Sequence, residues 1–164
     1  MEFDKITLAV YSDKYIQDLK KEYQLPEEQY QFTSYPLEVL EQSKNNHDMF
    51  PVLILSGDTA VGFFCLNNGM RVSEVTTNKK ALLLTSFSIN YKYQRKGYAK
   101  QALLNVPSFI KIHFDGINEL VLAVNMKNIP AQTLYKTCGF EDLGKRRMGK
   151  KGEQMILHLD ILEM

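Results

Sequence analysis

The sequence is poor in cysteine, in long apolar runs and in net charge. Only Cys65 and Cys138 are present, far apart in the chain. A secreted disulfide scaffold is denser in cysteine, so the expected compartment is a reducing one, the cytoplasm. The longest apolar runs are four to five residues, as at Ala81–Leu84, where a membrane-spanning helix needs about 20. Residues 1–10 carry no basic flank leading into an apolar core, so no signal peptide is expected. There is no low-complexity stretch and no repeat of fixed period. The charge sum is +1, from 20 Lys and Arg against 19 Asp and Glu. That balance calls for neither a nucleic acid nor a membrane as partner. His47, His113 and His158 show no metal-ligand spacing with either cysteine, so no metal is expected. The dinucleotide fingerprint, the nucleotide P-loop and the G-x-S-x-G nucleophile elbow are all absent.

What is present is one domain, residues 1–164, 45% hydrophobic and long enough to bury a core without staples. Phe3–Val10 alternates as a first strand. Ser12 or Asp13 caps a helix expected to run through Tyr15, Ile16, Leu19 and Tyr23, until Pro26 ends it. Pro36 opens a second helix. Val52–Leu55 and Ala60–Leu66 form a hairpin across Ser56-Gly57-Asp58. Asn67-Asn68-Gly69 is a turn, and a polar stretch follows to Lys80. Leu82–Ile89 is apolar on both faces, as a central strand requires. A basic segment, Tyr91–Ala99, leads into a helix opening at Gly97, with Pro107 expected to kink or break it. Leu120–Val124 is a short strand, Asn128–Cys138 a helix stopped by Gly139. Phe140–Leu143 and Met155–Leu159 close the chain as an antiparallel pair. The middle strand–helix–strand unit must be parallel and right-handed. The expected fold is α/β or α+β, with a mixed sheet.

Chemistry concentrates at the loop between Asn90 and Gly97. A loop that follows a parallel strand and opens a helix is an anion site, because free N–H groups and the helix dipole both favour phosphate. Gly97 lets backbone approach a ligand, and Ala99 keeps the surface low. Lys92, Arg95, Lys96 and Lys100 add four positive charges with no acid among them. The segment is a diphosphate cradle.

Ile89-Asn90-Tyr91-Lys92-Tyr93-Gln94-Arg95-Lys96-Gly97-Tyr98-Ala99 resembles the acetyl-CoA-binding pattern V-x-P-x-x-[QR]-x-x-G-x-[GA] of the GCN5-related N-acetyltransferase (GNAT) superfamily. Tyr91 stands for the usual proline, and Ala99 is the permitted alternative to glycine. Downstream, the run from Asn128 through Ala131, Leu134, Tyr135, Gly139 and Phe140 resembles the family's N-x-x-A-x-x-L-Y-x-x-x-G-F. The resemblance is strong over residues 81–143 and closest in style to small bacterial polyamine-type acetyltransferases. It implies a mixed, mostly antiparallel sheet whose central parallel strand pair splays apart, with helices flanking it. It also implies an acetyl-CoA-dependent N-acetyltransferase, acetyl-CoA being a co-substrate. The resemblance gives Phe87, Ser88 and Ile89 the pantetheine edge, and the backbone of Gln94, Arg95, Lys96, Gly97, Tyr98 and Ala99 the diphosphate. Asn128 contacts the cofactor, and Ala131 leaves room for it.

Tyr135 is the candidate catalytic residue. It lies seven residues after Asn128, so the two share a helix face. A neutral phenol there can protonate the departing thiolate; the competing reading is a core tyrosine. No base is evident: Thr85, Ser86 and Ser88 are poor bases, and Glu74 sits in a loop. Residues 22–48 hold Glu22, Glu27, Glu28, Glu38, Glu41 and Asp48 against Lys44, a net of −5, so the rest of the chain carries +6. Tyr23, Tyr30, Phe32 and Tyr35 are interleaved. Acids with aromatic faces suit a small cationic amine such as a polyamine. Other acceptors (an aminoglycoside, an amino acid, a protein N-terminus) stay open, as do a non-catalytic acyl-CoA-binding module and a homodimer. The basic run Lys145, Arg146, Arg147, Lys150, Lys151 is expected to be a solvated hairpin turn; nucleic-acid binding is its sharper alternative.

Overall fold

Ala81–Ile89 is a strand whose first four residues are all buried, the condition for lying inside a sheet rather than at its edge. In the computed structural model, which describes residues 5–162, it is the fourth of seven strands. These are β1 (Ile6–Val10), β2 (Met49–Ser56), β3 (Thr59–Asn67), β4 (Ala81–Ile89), β5 (Glu119–Asn125), β6 (Glu141–Gly149) and β7 (Gly152–Asp160). They hydrogen-bond in the order β1-β2-β3-β4-β5-β7-β6. The helices are α1 (Ile16–Lys20), α2 (Glu27–Tyr30), α3 (Pro36–Ser43), α4 (Met70–Ser73), α5 (Tyr98–His113) and α6 (Ile129–Thr137). The sheet is mixed: β4 and β5 are parallel, while β1/β2, β5/β7 and β6/β7 are antiparallel. Part of the expected first strand, Phe3 and Asp4, lies outside the described residues.

The chain divides into two compact units, residues 1–66 with 86–106 and residues 67–85 with 107–164. In the first, Leu19, Val39, Leu53, Leu55 and Phe63 form the core with Tyr23 and Leu25. Each large apolar side chain so buried contributes about 1.5–3 kcal/mol. In the second, Val72, Val75, Ala81, Leu83, Val121 and Ile156 pack together. There the parallel ladder of β4 with β5 spans three pairs, Ala81↔Glu119 to Leu83↔Val121, while β5 pairs with β7 along all seven residues.

Several boundaries correct the expectations. The first helix stops at Lys20 rather than running to Tyr23. Glu22 takes a left-handed φ of 59°, a conformation that no helix continues through, and Tyr23 turns into the core. The 27–30 turn, the 70–73 turn and a 3-10 turn at Tyr91–Tyr93 are short helices that the periodicity does not show. Helix α5 starts at Tyr98 and is not broken at Pro107. A proline inside a helix costs roughly 3 kcal/mol; the buried face on either side of it (Ala102, Leu103, Val106, Phe109, Ile110) offsets that cost. The basic run is not a turn. Lys145, Arg146 and Arg147 lie in β6, and only Lys150 and Lys151 lie in the connection to β7. β6 is last in the sheet order and exposed along most of its length. Its register shifts between Asp142 and Arg146, and Gly144 has φ 94°. A bulge and a row of charges are how an edge strand avoids pairing with a second chain.

Candidate active site

The first unit contains the loop expected to cradle a diphosphate. β4 ends at Ile89, Tyr91–Tyr93 makes a 3-10 turn, and α5 begins at Tyr98. Arg95 and Gly97 both take left-handed backbone, φ 65° and 79°. Alternating left-handed residues turn successive N–H groups to one side, which makes an anion-binding concavity. The first N–H groups of the 16-residue α5, from Tyr98 and Ala99 onward, have no carbonyl behind them within the helix. A Cβ placed on Gly97 would meet nothing within 4 Å. Glycine is needed there for its φ and not for want of space. These features fit a diphosphate.

One of the expected donors is already used. The Gln94 N–H donates to the Tyr91 carbonyl at 3.1 Å. The Gln94 side chain braces the loop instead, its Nε2 donating to the Ile89 carbonyl at 2.7 Å. The Ser88 carbonyl likewise accepts from the Tyr23 hydroxyl at 3.2 Å, with Ser88 Oγ 2.7 Å from the same oxygen. The Ser88 and Ile89 carbonyls, both on the expected pantetheine edge, therefore have partners within the protein. Just before that edge Ser86 has φ 57°, uncommon for a non-glycine residue, so β4 is distorted where Phe87–Ile89 begin. A cavity of about 390 Å³ abuts the loop, lined by Ser56, Thr59, Val61, Lys92, Tyr93, Lys96 and Tyr98. Two of its lining residues are lysines, and the Lys92 ammonium is paired with Glu22.

The second unit contains the other motif. Asn128 is not the first helical residue but the N-cap of α6, its side chain accepting the Ala131 N–H at 3.4 Å. Ala131 is half-buried in the first turn. Tyr135 is half-buried two turns after Asn128, its ring edge-on to Phe140 with centroids 5.7 Å apart. Burial pushes its phenol well above the ordinary tyrosine value, and the proximity of Cys138 adds to the shift. The hydroxyl is thus held in the protonated form that an acid requires. Gly139 follows the helix with φ 101°, the expected stop.

Sequence reading missed a polar cluster in this unit. Asn67 is the last residue of β3, wholly buried, and not part of a turn. Its Nδ2 donates to the Leu83 carbonyl at 3.0 Å and to Thr85 Oγ1 at 2.8 Å, and its Oδ1 accepts from Arg71. A buried amide at the end of an apolar strand was the signal available. Glu74 is exposed and 3.5 Å from Arg147. His158 is buried with Nδ1 3.0 Å from Glu119, while His47 is exposed and His113 packs against Phe109 with the two rings tilted by 38°. Cys65 and Cys138 are both buried thiols.

In the acidic segment all six carboxylates are exposed. Glu22 pairs with Lys92 at 3.1 Å, Glu41 with Lys44 at 2.8 Å, and Glu38 accepts from the Tyr30 hydroxyl. Tyr30 and Tyr35 meet edge to face at 4.7 Å. Among the described residues, no helix is long and apolar enough to cross a membrane.

The profile of the acetyltransferase (GNAT) family matches residues 14–140 of the chain. An uncharacterized N-acetyltransferase of Bacillus subtilis (strain 168), YbbJ, is 42% identical over 154 residues, covering 93% of this chain and 96% of its own. A solved chimera of the spermidine N-acetyltransferase SpeG from Vibrio cholerae with hSSAT superposes with a TM-score of 0.66 at 19% identity, over 96% of each chain. The aminoglycoside acetyltransferase AAC(6')-Ib in complex with coenzyme A does so with a TM-score of 0.73 at 14% identity, over 94% of each. At those identities the solved structures report on fold alone.

Proposed function

Because the chain belongs to the GNAT family of acetyltransferases, we propose that residues 1–164 work as one N-acetyltransferase domain that moves an acetyl group from acetyl-CoA to a primary amine, a small cationic amine such as a polyamine. The observation that carries the cofactor half is the backbone of the 91–99 loop, with left-handed Arg95 and Gly97 ahead of the α5 N-terminus. Acetyl-CoA supplies an activated thioester carbonyl. The N–H groups of residues 95–99 and the positive end of the α5 dipole hold its diphosphate. Phe87, Ser88 and Ile89 line its pantetheine arm, and Asn128 and Ala131 border it.

Transfer forms a C–N bond and breaks the C–S bond. Tyr135 gives its proton to the departing thiolate, the proton lost by the amine passes to solvent, and the tyrosinate regains a proton from solvent to close the cycle. The exposed acids of residues 22–48, Glu27 and Glu28 foremost, support a cationic acceptor. Solved enzymes of the same fold are named for spermidine and for aminoglycosides, so the fold is compatible with such an acceptor. Thiol release from acetyl-CoA is measured across spermidine, aminoglycosides, amino acids and peptide N-termini. Preferred turnover of spermidine-like amines is expected. Turnover of neutral or acidic amines in their place rejects the acceptor, and no release with any amine rejects the enzyme.

A further inference from the structure

The segment 22–30 is fastened to the cradle loop, within the first unit, by links from both its ends. Lys92 Nζ donates to Glu22 at 3.1 Å. The buried Tyr23 hydroxyl donates to the Ser88 carbonyl and lies 2.7 Å from Ser88 Oγ. The Gln24 N–H donates to Asn90 Oδ1 at 3.1 Å, and the Gln24 carbonyl accepts from the Tyr91 N–H at 2.8 Å. At the far end Gln29 and Gln94 form a reciprocal amide pair, Gln29 Nε2 to Gln94 Oε1 at 3.2 Å and Gln94 Nε2 to Gln29 Oε1 at 3.0 Å. Gln94 Nε2 also holds the Ile89 carbonyl. From Tyr23 to Gln29 the links follow the other strip in order, from Ser88 through Asn90 and Tyr91 to Gln94, and the Glu22–Lys92 pair crosses that order at the near end.

Such a clasp has a thermodynamic consequence. A ligand that orders the loop orders whatever the loop is bonded to, and the coupling works in both directions. We propose that Tyr23 and Gln29 are positioning residues that transmit cofactor binding at the 94–99 loop to the acidic 22–30 segment, so that the cofactor pre-forms the acceptor side. The inference rests on the acetyl-CoA reading given above. Tyr23 is the inner bolt: its hydroxyl lies in the core, where an unmet partner is costly, so Ser88 and Tyr23 move together. Gln29 is the outer bolt, exposed and therefore replaceable without loss of the fold.

Amide hydrogen exchange, with CoA as the probe, tests this. In wild type, saturating CoA slows exchange in 91–99 and slows exchange in 22–30 by about fivefold or more. In Gln29→Leu combined with Tyr23→Phe, 91–99 is still protected, but 22–30 stays within about twofold of its CoA-free rate. Gln29→Glu alone, which still accepts from Gln94 Nε2, keeps more of the 22–30 protection than Gln29→Leu alone. A purely structural role would not separate that pair. Equal protection of 22–30 in wild type and Gln29→Leu overturns the inference. So does wild-type protection confined to 91–99. Absence of protection at 91–99 instead overturns the cofactor reading, and the inference with it.

Discussion

The Asn128 side chain caps α6 by accepting the Ala131 N–H at 3.4 Å. The residue assigned to the cofactor by family resemblance thus has a structural task as well, and the two are separable. Asn128→Ser keeps a capping oxygen and removes the amide; Asn128→Ala removes both. Asn128→Ala is expected to cost about 1 kcal/mol of stability and Asn128→Ser a few tenths. Both are expected to raise the KM for acetyl-CoA to a similar extent. Thermal melts read the first difference and steady-state kinetics the second. A KM that tracks stability across the pair would reduce Asn128 to a cap.

Tyr135→Phe is expected to lower kcat at least tenfold while leaving the KM for acetyl-CoA nearly unchanged. The pH profile gives an independent check. Burial raises the phenol's pKa, so the protonated acid is fully present below the ordinary tyrosine value of about 10. Turnover should show no alkaline fall attributable to Tyr135 between pH 7 and about 9. The same shift makes stability decline above about pH 10, where the unfolded chain can ionise a tyrosine that the folded chain holds neutral. Tyr23, buried and raised in the same way, adds to that decline.

Gly62 sits where β3 passes the end of β4. A Cβ there would lie 2.7 Å from the Ser88 carbonyl and 2.7 Å from Ile89 Cδ1. The backbone atom cannot yield as a flexible side chain would. Gly62→Ala is expected to destabilise by about 1–3 kcal/mol and to raise the acetyl-CoA KM, because the displaced atoms belong to the proposed pantetheine edge. Denaturant melts and kinetics check the two parts. A stable variant with normal KM would mean that β4 tolerates the shift.

Much of the fold was legible because it obeys short periods. The buried run from Ala81 to Leu84 and the α5 face from Tyr98 to Ile110 follow directly from residue spacing. The loop proposed as a cradle stands out in the sequence for a related reason: its glycine and its charges are local to one segment. What escaped was set from far away. Tyr23 fits a helical period, yet Glu22 turns the chain left-handed and Ser88, 65 residues on, takes the hydroxyl. Lys145–Arg147 looked like a turn because an exposed edge strand has no apolar face to produce alternation. Arg146 there is held by Asp142, whose carboxyl its guanidinium lowers to about 2. That engagement fits an edge strand better than a free basic patch. The Gln29–Gln94 pair joins two surface amides that no pattern connects.

The central claim is that the backbone of the 95–99 loop seats the acetyl-CoA diphosphate. Gly97 tests it most directly, since φ 79° disfavours any side chain while the space around its Cβ is open. Calorimetric titration of acetyl-CoA into wild type and Gly97→Val isolates the loop geometry from packing. The account predicts saturable wild-type binding that weakens at least tenfold in the variant, with thermal stability lowered by no more than about 2 kcal/mol. Equal affinity of the two proteins for acetyl-CoA would contradict it.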